Sequence, residues 1–306
     1  MHCKCIENIS HLYFALVYIT DKVMIQAYVL CFPHQLLSSA RHLMKYELPT
    51  AKRLILSLLS APGLEQVEIS TLLAWGSLFD IDSTAVRMAV GRLTRQGLLV
   101  SPGRGRYSLG PDGELIANTA RDWLHAQKRV ANWAGEWILV HTAHLGRSQK
   151  SALRARERAL RLCGFAEFVS GLWCRPANLS EPVSATRARL MTLGLSPEAI
   201  VARTAEIPGV GEKELFSLWP RETIEAAYKA HIEAMERSSR HIHELNLAEA
   251  AKESFLVGEA VIRQINADPL LPSPMIDARA RREMIEMMMD YDALGRDIWR
   301  KFNDTQ

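Results

Sequence analysis

Five arginines stand in a segment of the chain that contains no acidic residue, Ser83 to Gly110. They are Arg87, Arg92, Arg95, Arg104 and Arg106. The whole chain of 306 residues has 37 Lys and Arg against 34 Asp and Glu, so this imbalance of charge is local. A guanidinium group can bond the edge of a guanine or the oxygens of a phosphate, and a nearby carboxylate would repel the phosphate. The segment therefore predicts a surface that binds a polyanion, with double-stranded DNA as the expected partner.

The elements that must position these arginines follow from the spacing of the apolar residues. A helix begins after Thr50, a second helix extends from Ile69 to Phe79, and Asp82 and Ser83 supply the cap of a third. Apolar residues of the third helix recur at the spacing of one helix face: Val86, Ala89, Val90 and Leu93. Because this face turns toward the core, the arginines of the third helix are expected on the exposed side.

A hairpin is predicted directly after the third helix. Gly97 suits the left-handed residue that ends a helix, and Leu98–Val100 and Arg106–Leu109 have the composition of two short strands. The glycine-rich turn between the strands carries Arg104. Three helices followed by a hairpin is the order of a winged helix-turn-helix domain, which we place at residues 46–112.

The third helix is the expected recognition helix, because an α-helix fits the major groove of B-DNA. Its expected DNA contacts are Ser83, Thr84, Arg87, Arg92 and Arg95, and those of the wing are Arg104 and Arg106. Two alternatives remain open. Arg92 lies at the border of the exposed face, where an internal salt bridge is the alternative to a DNA contact. A winged helix with solvated arginines can also bind a protein instead of DNA.

The rest of the chain is predicted to contain three further parts. Residues 113–132 form a linker helix. Residues 133–210 follow a β-α-β-β-α order, with a short helix at 197–204, which suggests a ferredoxin-like α/β domain. Residues 211–306 are nearly all helix. The predicted fold class is therefore α+β and multi-domain: an N-terminal winged helix-turn-helix, a central ferredoxin-like domain and a C-terminal helical domain, preceded by an extension of uncertain status at 1–45.

The sequence contains none of the motifs that assemble a common catalytic centre. It has no GxSxG nucleophile elbow, no Walker loop and no HExxH zinc motif, so no enzymatic activity and no cofactor are expected. The spacing of His2, Cys3 and Cys5 is poor for zinc, and His241 and His243 point to different sides of a helix. No metal site is therefore expected.

Cysteine usage and hydropathy bear on the expected location. The five cysteines are odd in number and include no CxxC pair, which favours a reducing cytoplasm over a disulfide framework. The apolar stretch from Leu12 to Leu37 is broken by charged residues and a proline, so no membrane span is expected. Residues 1–44 are either a peripheral extension or translated upstream sequence.

Three segments of the chain together carry a family resemblance: residues 86–109, Trp137–Val140 and Asp268–Pro272. In the same order they resemble the PaaX family of phenylacetic acid catabolism repressors, over roughly Leu48 to Phe302. The resemblance implies a winged helix for DNA, a central ferredoxin-like domain and a C-terminal helical domain that helps the chain to dimerise. It also implies a repressor that leaves DNA when an aryl-coenzyme A thioester binds.

A dimer of this kind would place two recognition helices in successive major grooves of an imperfect palindrome. The phosphates of an acyl-coenzyme A need basic partners, and the candidates are Arg154, Arg158 and Arg175, with the ligand bound between the central and C-terminal domains. The basic stretch at 147–161 has two other interpretations, an extension of the DNA contact or a solvated helix face. The predicted function is a ligand-responsive transcription regulator; the alternative is an adaptor whose winged helix binds a protein.

Overall fold

The computed structural model describes residues 46–61, 63–207 and 209–305. These residues form ten α-helices and two antiparallel sheets, a mixed α+β architecture. Among the helices in these ranges, none is both long enough and apolar enough to cross a membrane. The predicted extension at 1–45, with the histidine and cysteines considered as metal ligands, lies outside the described residues.

The first unit contains three helices and a three-stranded sheet. Its elements are α1 (Ala51–Leu59), β1 (Val67–Glu68), α2 (Ile69–Leu78), α3 (Ser83–Arg95), β2 (Leu99–Gly103) and β3 (Arg106–Leu109). The side chain of Thr50 accepts a hydrogen bond from the amide of Arg53 (3.3 Å), and that of Asp82 accepts one from the amide of Thr84 (2.7 Å). Because these caps satisfy amides that have no partner inside the helix, α1 and α3 begin where the sequence predicts.

The sheet of the first unit has β3 at its centre, with β1 and β2 on either side, and both pairings are antiparallel. β2 and β3 form the predicted hairpin. Its turn includes Gly105 at a φ of 74°, a conformation that glycine adopts without strain. β1 is not predicted from the sequence, and it sets Glu68 opposite Arg106. The pairing of β1 with β3 therefore joins the segment between α1 and α2 to the hairpin.

The second unit is a four-stranded antiparallel sheet with two helices. Its elements are β4 (Trp137–His141), α5 (Lys150–Leu162), β5 (Ala166–Val169), β6 (Leu172–Pro176), α6 (Val183–Thr192) and β7 (Ile200–Thr204). The strands lie side by side in the order β5-β6-β4-β7. β4 therefore lies between β7, which follows α6, and the hairpin of β5 and β6, which follows α5.

One predicted element of the second unit is wrong, because residues 197–204 contain a strand in place of the expected short helix. β7 pairs with β4 along its whole length. Its β-branched Ile, Val and Thr residues favour a strand, whereas Ser196–Glu198 resembles the start of a helix. The second helix of the unit is α6, which the sequence did not predict.

The remaining helices connect the two units and cover them. They are α4 (Pro111–Ala120), continued by short 3-10 turns to Arg129, and α7 (Glu212–Phe216), α8 (Arg221–His241), α9 (Leu247–Ala267) and α10 (Ala278–Asp304). The long helix α10 packs on both α8 and α9. A reciprocal capping box between Asn246 and Glu249 fixes the start of α9.

The first unit shares a hydrophobic core with α9 and α10. The indole of Trp75 on α2 donates to Asn303 Oδ1 (2.8 Å), and its ring meets that of Trp299 edge-on at 6.2 Å. Phe79 contacts Phe255 in the same way at 5.1 Å. Buried aromatic pairs of this kind stabilise a contact beyond the area they bury. The helices around α3 are therefore held directly by the C-terminal part of the chain.

The segment Asp268–Pro272, which carries part of the family resemblance, docks the second sheet onto the C-terminal helices. Three side chains donate hydrogen bonds to its carbonyl groups: Asn178 to Leu270 (2.6 Å), Arg281 to Leu271 (2.7 Å) and Arg175 to Pro269 (3.3 Å). The buried carboxylate of Asp268 accepts from the hydroxyl of Tyr228. A buried polar network that is bonded in this way fixes one arrangement of the elements it joins.

Candidate nucleic-acid interface

α3 divides into a buried face and an exposed face as its sequence predicts. Its four apolar stripe residues are at most 3% exposed. The opposite face carries the five predicted contact residues, all of them exposed: Ser83, Thr84, Arg87, Arg92 and Arg95. A Cβ atom at Gly91, within the same helix, would meet no atom within 4 Å, so this position faces open space. The backbone of α3 can therefore approach a flat partner closely.

The first turn of α3 presents backbone amide groups, and Asp82 binds one of them. The carboxylate of Asp82 accepts the amide of Thr84, and this hydrogen bond is the main reason that the pKa of Asp82 lies below its usual value. Asp82 is exposed and stays ionised, so it is an acid at the edge of the basic face. Its carboxylate accepts a hydrogen bond from one amide of the helix terminus, and it forms no ion pair with the arginines further along α3.

Four of the five arginines have no carboxylate partner anywhere in the described ranges: Arg87, Arg92, Arg95 and Arg104. The internal salt bridge considered for Arg92 is therefore not formed with any described residue. An unpaired guanidinium keeps all five of its N–H donors for solvent or for a partner. The exposed face of α3 and the turn of the hairpin together present these donors from adjacent elements.

The fifth arginine, Arg106, lies near an acidic residue from outside the segment 83–110. Arg106 Nε lies 3.7 Å from Glu68 Oε1, and the two side chains are 56% and 63% exposed. An exposed pair of this kind contributes about 1 kcal/mol or less, so a phosphate can compete for Arg106. The acid was missed because Glu68 reaches the hairpin only through the pairing of β1 with β3.

Two further residues near this surface were not identified from the sequence. Met88 is 63% exposed on α3, directly beside Arg87 and outside the apolar stripe. Lys52 on α1 is half-buried, and its pKa is lowered first by that burial and then by the positive charge of Arg92. Lys52 and Arg92 are therefore close in space. The signal for Met88 was present in the sequence, as an apolar residue on the arginine face; the proximity of Lys52 depends on packing.

The second arginine-rich segment is built differently. Arg156 on α5 is buried and donates to the carbonyl of Gly146 (2.9 Å), and Arg161 lies over the ring of Trp173 at 5.3 Å. Arg158 is partly buried, and burial lowers its pKa, whereas Arg154 is exposed. Arg156 and Arg161 therefore support α5 and the sheet beneath it, whereas Arg147, Lys150 and Arg154 stand exposed on the surface.

Arg175, one of the three arginines considered for a ligand, is only 2% exposed. Its guanidinium donates to the carbonyls of Cys163 and Pro269 and to the side chain of Asn178. Burial lowers its pKa to about 10, so it remains charged at neutral pH. The sequence-based assignment to a ligand site is corrected here, because the donors of this side chain are engaged in joining β6 to the segment after α9. Arg154 and Arg158 lie one turn apart on α5, whereas Arg175 is buried, so the three arginines do not form one ligand surface.

The larger cavity borders the central and C-terminal parts, where a ligand was expected, and also extends to the first unit. Beside Arg175, between the second sheet and the C-terminal helices, the space amounts to about 30 Å³, enough for roughly one water molecule. A much larger cleft of about 760 Å³ lies between α1, α4, α9 and α10, and Leu162, Arg189 and Leu193 of the second unit also line it. None of the three arginines considered for a ligand lines this cleft.

Metal-binding groups do not converge in the part of the chain that the structure describes: no three His, Cys, Asp or Glu side chains there could hold one ion. His231 on α8 is partly buried, and burial is the first cause that lowers its pKa to about 4. It is therefore neutral at physiological pH.

Comparison with known proteins places the fold. No protein-family model and no curated protein matches the chain. Among solved structures, the chain is similar to the uncharacterized protein Rv0674 from Mycobacterium tuberculosis, with a TM-score of 0.51 and 21% sequence identity. The match covers 81% of this chain and 99% of that one. At this identity the similarity concerns the mixed α+β fold alone.

Proposed function

We propose that this protein is a ligand-responsive transcription regulator that binds double-stranded DNA. The observation that carries the proposal is the set of exposed arginines on α3 and the β2–β3 turn that have no carboxylate partner among the described residues. In this proposal residues 46–112 are a winged helix-turn-helix, residues 133–210 a ferredoxin-like domain and residues 211–306 a C-terminal helical domain. The strand order β5-β6-β4-β7 supports the second of these assignments.

The contacts would be divided between the two elements. α3 would enter the major groove, where Arg87 and Arg92 can donate to the O6 and N7 atoms of guanine or to flanking phosphates. The glycine-rich turn would carry Arg104 to the sugar-phosphate backbone beside that groove. Ser83 and Thr84, at the start of α3, suit hydrogen bonds to phosphate.

The family resemblance supplies the rest of the proposal. It supports a cytoplasmic homodimer that represses an operon for the breakdown of an aromatic acid, and an aryl-coenzyme A thioester as the releasing ligand. Two copies of α3 related by a two-fold axis would contact an imperfect palindrome, with half-sites separated by about one helical turn. The proposal assigns no enzymatic activity to the chain.

The proposal is tested by selecting duplexes from a random pool and measuring the dissociation constant of the selected duplex at several salt concentrations. Binding through several phosphates predicts that affinity falls by about a thousandfold or more between about 50 and 200 mM salt. The selected sequences are expected to be imperfect palindromes. Failure to enrich any duplex at about 50 mM salt would contradict the proposal, because electrostatic binding is strongest there.

A protein-interaction adaptor is the second candidate, and the exposed Met88 favours it. An apolar side chain in the middle of a charged face is typical of the centre of a protein interface. This candidate predicts that no duplex is enriched and that a partner protein depends on Met88 more than on Arg92. The duplex selection therefore separates the two functions.

A further inference from the structure

Two histidines meet at the end of the central strand β4. His141 is the last residue of β4, and His144 lies in the 3-10 turn that follows it, Ala143–Leu145. The Nδ1 atoms of the two rings are 3.2 Å apart, and the ring planes are within 20° of parallel. His144 is exposed and His141 is only partly buried, so both rings can be reached from solvent.

The turn that carries His144 is fixed to the neighbouring hairpin of β5 and β6. The amide and the hydroxyl of Thr142 both donate to the carbonyl of Gly171, at 2.7 and 3.1 Å, and Thr142 is only 4% exposed. Gly171 packs so closely on this turn that a Cβ there would lie 2.7 Å from the Cα of Ala143. The hydrogen bonds and the close contact therefore hold the backbone between the two histidines in one position, as a preorganised binding site requires.

The second hydrogen bond of His144 determines which of its ring nitrogens has a lone pair. Its Nε2 lies 2.9 Å from the carbonyl oxygen of Glu198, just before β7. Because a carbonyl group can only accept, Nε2 carries the proton, and Nδ1 of the neutral ring presents its lone pair toward His141. Histidines that bind a metal ion have this arrangement, with one nitrogen on the ion and the other donating to a carbonyl or carboxylate group.

The separation of the two Nδ1 atoms matches that of two ligands on one tetrahedral ion. Zinc–nitrogen bonds are about 2.0–2.1 Å long, so two nitrogens on a tetrahedral zinc ion lie roughly 3.3 Å apart. The observed 3.2 Å is close to that value. Without an ion, the same two atoms share a hydrogen bond in which His141 donates to the lone pair of His144. An ion would take the place of that proton, because a metal ion binds its ligands in their deprotonated form.

We propose that His141 and His144 bind one divalent transition-metal ion through their Nδ1 atoms, with zinc as the best fit to the geometry. Imidazole nitrogen suits zinc, copper and nickel, whereas magnesium and calcium prefer oxygen ligands. No third His, Cys, Asp or Glu side chain joins the pair within the described ranges, so water would complete the coordination sphere. The ion would therefore keep open positions, unlike a structural zinc ion with four protein ligands. This site is independent of the proposed binding of DNA.

The two rings are brought together only in the folded chain. Two ligands on one fixed backbone bind an ion more tightly than either does alone, because the second bond forms at a high effective concentration of ligand. The ion would join β4 to the turn that leads toward α5. Since it binds the folded chain more tightly than the unfolded chain, zinc should raise the melting temperature.

Binding is tested by calorimetric titration of the full chain with zinc chloride, in comparison with the variants His141→Gln and His144→Gln. Glutamine keeps a polar side chain and removes the imidazole. Each substitution should remove one equivalent of bound zinc or weaken its binding by about tenfold or more, the equivalent of roughly 1.4 kcal/mol. Other possible ligands, His2, Cys3 and Cys5 among them, are the same in every protein, so zinc bound there cancels in the comparison.

His125→Gln is the matched control, because His125 is exposed in a 3-10 turn after α4. It should bind zinc as the parent chain does, and zinc should raise the melting temperature of both more than that of the two variants. Binding by a folded His144→Gln variant that equals that of the parent would overturn the site, and this variant alone carries the test if His141→Gln does not fold. A loss in only one of two folded variants would show an ion on a single histidine and would overturn the pair.

Nitrogen NMR of the histidine rings identifies the atoms that hold the ion. Zinc should shift the Nδ1 signals of His141 and His144 and leave Nε2 of His144 protonated, because that nitrogen donates to the carbonyl of Glu198. A shift of the Nε2 signals instead would overturn the assignment to Nδ1. These measurements need no DNA, so a failure of the metal site and a failure of the proposed function are distinguished.

Discussion

The two arginine-rich segments of this chain, residues 83–110 and 147–175, differ in how many of their arginines are buried. In the first, the guanidinium groups stand on the surface, and four of them have no carboxylate partner among the described residues. In the second, Arg156 and Arg175 are buried and donate to backbone carbonyls, whereas Arg147, Arg154 and Arg161 are exposed. A density of positive charge therefore does not by itself identify a binding surface.

The buried and the exposed arginines differ in whether backbone carbonyl groups that need a hydrogen-bond donor lie within their reach. Gly146 and Pro269 lie in irregular segments whose carbonyls have no partner within a helix or strand, and a buried arginine satisfies them. The carbonyls around α3 are already used within the helix, so its arginines find no internal acceptor. Arginines beside irregular buried backbone hold a fold together, and arginines on the outer face of a regular helix are available to a partner.

The largest expected effect is on stability, from the second segment. Arg175→Met retains the aliphatic stem and removes every donor, so buried carbonyls of Cys163 and Pro269 lose their partner. We expect the free energy of unfolding to fall by about 3 kcal/mol, as measured by urea denaturation. Arg154→Met, on the exposed face of α5, is the matched control and should change it by less than about 0.5 kcal/mol. Equal effects of the two substitutions would remove the distinction between buried and exposed arginines in this segment.

An intermediate effect is expected for the wing. Arg104→Ala should leave the unfolding free energy unchanged and weaken binding of all duplexes alike, because Arg104 would bind phosphate. The slope of log affinity against log salt should decrease by about 0.9 for each phosphate that the variant no longer neutralises. A loss that depends on duplex sequence would show instead that Arg104 reads bases.

The smallest effect is expected for Met88. An exposed apolar side chain in a major groove can contact the methyl group of thymine, so Met88→Ala should reduce the preference for thymine at one position of each half-site by about 1 kcal/mol. Duplex selection with the variant measures this directly. An unchanged sequence preference would indicate instead that Met88 contacts a partner protein.

Much of the first unit follows from the sequence, because its helices have a regular apolar period and visible caps at Thr50 and Asp82. β1 could not be predicted, since two residues carry no pattern and the strand exists only through its pairing with β3. β7 was missed for a related reason, because its partner β4 lies about sixty residues earlier in the chain. Helix α6 buries only Thr186 and Leu190, so it shows little periodicity.

The features of the candidate site also fall into two groups, those that a local pattern predicts and those that depend on long-range packing. The exposure of the α3 arginines follows from helical periodicity, which is local. The contact between Arg106 and Glu68, the proximity of Lys52 to Arg92 and the burial of Arg175 all depend on elements that meet only after folding. Local patterns therefore predicted which side chains face outward on one helix, and long-range packing decided which of the other arginines remain available.

The most direct test of the account is the affinity of one selected duplex for three proteins at low salt: the parent chain, the double variant Arg87→Ala with Arg92→Ala, and Arg154→Ala with Arg158→Ala. Fluorescence anisotropy should show that the first pair weakens binding by about a hundredfold or more, at about 1–3 kcal/mol for each arginine that binds a base or a phosphate, and that the second pair has almost no effect. Circular dichroism should show all three proteins folded. Equal effects of the two pairs, or none for either, would contradict the claim that α3 is the surface that binds DNA.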